Sequence, residues 1–162
     1  MPDVLRDGLD IVFCGSAAGA VSARLGAYYA GPGNRFWETL HAVGLTPRRL
    51  RPEEFHGLPD YRLGLTDMAK QYAGGDAGIA SGDDDPEALR GKIARHRPKV
   101  LAFVGKRAAK VFLGRTPDYG EQDERLGDTV LWVLPSPSGA ARGYWSEAPW
   151  RELAMFVRRS QR

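Results

Sequence analysis

Cysteine occurs once, at Cys14, and histidine three times in 162 residues. One thiol excludes an internal disulfide and a cysteine-rich zinc site. Long apolar runs are missing too. The longest early uncharged stretch, residues 11–23, is shorter than the ~20 residues of a membrane-spanning helix, and Gly15 and Gly19 interrupt it. Charge of one sign is not in excess: 23 Lys+Arg against 20 Asp+Glu leave +3 and a pI near 9.2. That is too mild for a basic tail and compatible with a localised basic face. Asp3, Arg6 and Asp7 precede any apolar run, which is not the order of a signal peptide, so a cytoplasmic protein is expected. What remains is a globular balance, 43% hydrophobic and 27% charged, that predicts a single domain over residues 1–162.

Three apolar segments read as buried strands: Ile11-Val12-Phe13-Cys14, Val100 to Val104, and Thr129 to Leu134. Residues 64–68 form a brief apolar passage, placed at a strand or loop end. Helices are expected where Asn34 precedes Phe36, Leu40 and Val43, and where Asp85-Pro86 precedes Leu89 and Ile93. Two more follow Gly105-Lys106 as far as Gly114, and carry Trp150, Leu153, Ala154 and Val157 as one apolar stripe. Thr46-Pro47 starts a further helical turn. The run from Gly74 to Asp85 is rich in glycine and aspartate and reads as a mobile surface loop. Strands separated by helices imply an α/β fold with a mostly parallel sheet covered on both faces. Ligands bind such sheets beyond the carboxyl ends of the strands. Three strands here end in special turns: Gly15 to Gly19, Gly105-Lys106, and Pro135 to Gly139.

In order and spacing, Cys14-Gly15-Ser16-Ala17-Ala18-Gly19, Gly31-Pro32-Gly33-Asn34-Arg35-Phe36-Trp37 and Leu134-Pro135-Ser136-Pro137-Ser138-Gly139-Ala140-Ala141-Arg142 resemble the mismatch-specific uracil/thymine DNA glycosylases of the uracil-DNA glycosylase superfamily. Asp60-Tyr61-Arg62 to Thr66 and Gly105-Lys106 match in between. The resemblance implies a three-layer α/β/α sandwich with a short central sheet. It also implies a monomeric enzyme that flips uracil from double-stranded DNA, at a G·U mismatch among other contexts, and hydrolyses its N-glycosidic bond without metal or cofactor.

Such chemistry needs a pocket, a stacking partner for the extruded base, and a group that fills the vacated helix. It also needs donors facing the departing base and a polarised water at the sugar. The resemblance assigns Tyr29 to base stacking, with Ser16, Ala17 and Asn34 in the base pocket. Without it, Tyr28 and Tyr29 read as ordinary core or rim aromatics, and Asn34 as a helix cap. At the position of Ala17 the family carries a water-orienting asparagine, and alanine cannot replace it. The nearest substitute is Asp67, whose carboxylate suits a catalytic role and equally suits an N-cap for Met68-Ala69-Lys70. Ser138, Gly139, Ala140, Ala141 and Arg142 align with the loop inserted into DNA, where the small Ala140 leaves Arg142 the larger task. Lys106, beside Arg107 at a helix start, fits a DNA phosphate, although the GxxxxGK spacing of a P-loop is missing.

Other reactive residues are bland. His41, His56 and His96 lack metal-ligand spacing, Ser136 and Ser138 lack a G-x-S-x-G setting, and Cys14 reads as a core residue. Arg48, Arg49, Arg51, Arg158 and Arg159 read as solvated faces. A damaged-DNA binding protein of the same fold that has lost hydrolysis, and a small nucleotide-binding α/β domain, are the competing readings.

Overall fold

In a computed structural model of the chain, residues 1–70 and 81–160 are described. The strands are β1 (Ile11–Gly15), β2 (Leu63–Asp67), β3 (Val100–Val104), β4 (Gly120–Leu126) and β5 (Thr129–Leu134). They form one sheet in the order β2-β1-β3-β5-β4. All neighbours are parallel except β4 and β5. The helices are α1 (Ala20–Leu25), α2 (Phe36–Ala42), α3 (Pro86–His96), α4 (Lys106–Leu113) and α5 (Ala148–Arg159).

Side chains of a strand alternate between faces, and here both faces are apolar because both are covered. Ile11, Phe13, Leu65, Ala102 and Trp132 turn to a core shared with Phe36 and Leu40 of α2 and Trp150 and Leu153 of α5. Val12, Cys14, Leu101, Phe103 and Val133 turn to a second core with Leu89 and Ile93 of α3 and Ala108 and Ala109 of α4. The result is the expected three-layer α/β/α sandwich.

Local signals set several boundaries. The Asp85 carboxylate accepts a hydrogen bond from the Ala88 N–H at 2.9 Å and caps α3, with Pro86 at its first position. Gly114, at φ 73°, closes α4 in the left-handed conformation.

The structure corrects other expectations. No helix begins at Thr46-Pro47; that stretch bends, and a 3-10 helix runs from Pro52 to Tyr61 instead. Residues 64–68, undecided from periodicity, lie mainly in β2. The helix α1 and the strand β4 carry no strong pattern and were not expected. In β4, Gly120–Leu126, the edge position lets Glu121, Asp123 and Arg125 face solvent, so apolar enrichment is absent. Of the predicted mobile loop, residues 74–80 lie outside the described residues, while Ser81–Asp83 form a 3-10 turn.

Candidate functional site

Parallel pairing aligns the carboxyl ends of β1, β2, β3 and β5. Gly15 stands in register with Asp67, and Val104 with Leu134. Two backbone hydrogen bonds then lock the turn after β1 to the end of β2. Met68 donates to the Gly15 carbonyl at 2.8 Å, and Ala69 donates to the Ser16 carbonyl at 2.7 Å. A cleft of about 520 Å³ opens over these strand ends. Ser16, Ala17, Tyr29, Asn34, Asp67 and Lys106 all line it, as do Ser138 and Gly139. Every expected pocket residue therefore meets at one place. Ala140, Ala141 and Arg142 belong to the 3-10 turn Gly139–Tyr144 at the same rim; their side chains lie outside what is described.

Asp67 is 5% exposed. Burial pushes its carboxyl above the usual carboxylate range, and the Lys70 ammonium opposes that shift. Lys70 Nζ lies 3.3 Å from Asp67 Oδ2 and 2.8 Å from Asp3 Oδ1, and donates to the Tyr28 hydroxyl at 2.6 Å and the Met1 carbonyl at 3.0 Å. Asp3 is further held by Lys92 at 2.7 Å and by the Thr66 hydroxyl at 2.7 Å. Burial works upward on Asp3 as well, but these donors hold its carboxyl below the usual range. Met68, Ala69 and Lys70 are not helical, so Asp67 caps no helix over these three residues. Sequence reasoning missed Lys70 as part of this site. Its only signal was the three-residue spacing from Asp67.

Tyr29 adopts φ 53°, a left-handed conformation that costs a bulky residue energy and gathers at functional sites. Its neighbours enforce it. The Ser22 hydroxyl accepts from the Ala30 N–H at 3.0 Å, and Trp37 Nε1 donates to the Tyr28 carbonyl at 3.0 Å. One face of the Tyr29 ring stacks on Phe36, centroids 4.1 Å apart and planes at 19°. Among the described residues the buried Tyr29 hydroxyl has no hydrogen-bond partner. Burial, and then Asp67, push its ionisation far above the ordinary phenol range, so it stays protonated.

The Asn34 side-chain carbonyl accepts from the Phe36 N–H at 3.0 Å, an Asx turn one residue before Arg35, which holds the N-cap position of α2. Lys106 opens α4, its ammonium 4.5 Å from the Tyr119 ring centroid. Arg107 lines the cleft as well, held in a two-pronged pair with the Asp84 carboxylate at 3.0 and 2.8 Å. Gly139 passes so close to the Gly31–Gly33 turn that a Cβ would stand 3.3 Å from the Pro32 carbonyl oxygen. Arg35 N–H donates to the Pro137 carbonyl at 2.8 Å and fixes that approach. Arg48, Arg49 and Arg51 pair on the surface with Glu54, Glu38 and Glu53.

The fold has a solved counterpart. The solution NMR structure of a "putative Uracil DNA glycosylase" from Methanosarcina acetivorans matches with a TM-score of 0.63, over 98% of this chain and 96% of that one, at 22% identity. At that identity the likeness is one of fold. The family model described as "Uracil DNA glycosylase superfamily" matches residues 2–156, nearly the whole chain. With its strand-end cleft, the protein therefore belongs to the uracil DNA glycosylase superfamily.

Proposed function

We propose that this protein excises uracil from double-stranded DNA, G·U mismatches included, by flipping the base into the cleft and hydrolysing its N-glycosidic bond. Superfamily membership supports a DNA glycosylase role in general. The observation that carries the finer reading is the Asp67 carboxylate, buried at the end of β2 and lining the same cleft as Tyr29. The sugar gains positive charge as the base departs, and a carboxylate held in a poorly solvated wall stabilises that charge. It also accepts the proton of the attacking water. Water oxygen bonds to C1′, the C1′–N bond breaks, and its electron pair leaves with the base. Tyr29 supports the base through its ring, a contact worth ~1–3 kcal/mol in comparable stacks. Lys106 meets backbone phosphate, and the turn Gly139–Tyr144, bearing Arg142, enters the vacated helix.

The test is incubation of purified protein with duplexes holding one uracil opposite each base. Free uracil and an alkali-labile abasic site are expected, unaffected by EDTA and without a borohydride-trapped adduct. A second reading, damaged-DNA binding without hydrolysis, draws on Ala17, which removes the family's water-orienting asparagine. Binding to every duplex with no uracil release favours that reading.

A further inference from the structure

We propose that Gly15, Tyr29 and Asp67 together form the seat of the hydrolytic water, with the Tyr29 hydroxyl as its second ligand and Gly15 keeping the space open. This rests on the glycosylase reading and deepens it. A Cβ built on Gly15 would stand 3.0 Å from Asp67 Oδ1 and 3.0 Å from the Tyr29 hydroxyl oxygen. The two oxygens are thus no more than about 6 Å apart, within the furthest reach of one water making two hydrogen bonds. Asp67 Oδ2 is turned to Lys70, whereas Oδ1 faces Gly15. The Tyr29 hydroxyl is buried and lacks any partner among the described residues, although buried hydroxyls are almost always bonded.

With Asp67 ionised, the pair polarises the nucleophile. The water donates one hydrogen to the carboxylate and accepts the hydrogen of the phenol, which fixes its orientation and leaves a lone pair for C1′. On attack the O–C1′ bond forms, the water proton passes to Asp67, and the C1′–N bond breaks with its electrons on the base. The seat takes over the task left open at Ala17, using the end of β2 and the strained Tyr29 rather than a side chain of the turn. A water held by both oxygens rests against the Gly15 Cα, where a methyl group would displace it.

Three variants and one structure test this. Tyr29→Phe keeps the ring, so duplex affinity stays within twofold while the single-turnover rate on uracil falls about 10-fold, the loss of one neutral hydrogen bond. Gly15→Ala falls further. Tyr29→Phe added to Asp67→Ala costs nothing more, because both act on one water. A high-resolution crystal structure of the wild type shows a water within hydrogen-bond distance of both oxygens. A wild-type rate in Tyr29→Phe, additive losses, or a direct Tyr29–Asp67 bond without water overturns the seat and leaves the glycosylase reading standing. A wild-type protein that releases no uracil overturns both.

Discussion

Asp67 sits where ionisation is unfavourable, and that has two consequences of opposite sign for stability and rate. Its carboxyl is raised above the usual range by burial, against the pull of Lys70. The folded chain therefore holds this proton more tightly than the unfolded chain, and stability is lost as pH rises through the carboxylate range. Asp67→Asn removes that loss. At neutral pH its Tm is expected to equal or exceed the wild type, while single-turnover excision falls by roughly 10²–10³, the size of a deleted preorganised electrostatic group. Calorimetry and quench assays on one preparation check both. The ionised form is the active one, so the rate should climb with pH through the raised Asp67 value. Lys70→Met removes the opposing ammonium and should move that limb to higher pH. Lys70→Arg should leave it nearly in place, and a limb unmoved in Lys70→Met would show that the ammonium does not tune Asp67.

Among the elements, the turn Gly139–Tyr144 is held at both flanks. Before it, Pro137 accepts from Arg35 and Gly139 lies against Pro32. After it, the Arg35 guanidinium stands 5.5 Å from the Trp145 ring centroid. On the proposed reading this is the turn that enters the vacated helix, and both its flanks are already held. Arg142→Ala is expected to weaken binding to a G·U duplex roughly tenfold and to leave single-stranded binding nearly unchanged. Equal losses on both would assign the arginine to phosphate. The helix α3 offers a test of the frame itself. Asp85 caps it through Ala88 and also donates its backbone N–H to Met68, next to Asp67. Asp85→Ala should cost about 1 kcal/mol in urea unfolding, the usual value of a cap.

For the molecule as a whole, the three strands legible from sequence are those written as apolar runs, such as Val100–Val104; β2 is buried along its whole length too, but Gly64, Thr66 and Asp67 interrupt its run. β4 was illegible since an edge strand needs no such run. α1 has only six residues, too few for periodicity to register. The pocket residues were legible as a set only through ordered motifs. The Lys70 network depends on Met1, Asp3 and Lys92 meeting across the chain, which no local pattern encodes. The small net charge of +3 puts the electrostatics of DNA binding on a few placed cations. Lys106→Ala should reduce the slope of log affinity against log salt by about 1, the release of one phosphate's counterions.

Single-turnover release of uracil from a G·U duplex, by wild type and by Asp67→Asn, measures hydrolysis at Asp67 itself. Complete release by the wild type, slowed by roughly 10²–10³ in a variant that is folded and binds the duplex equally well, is the predicted result. Equal rates in the two proteins, or an intact duplex with both, would contradict it.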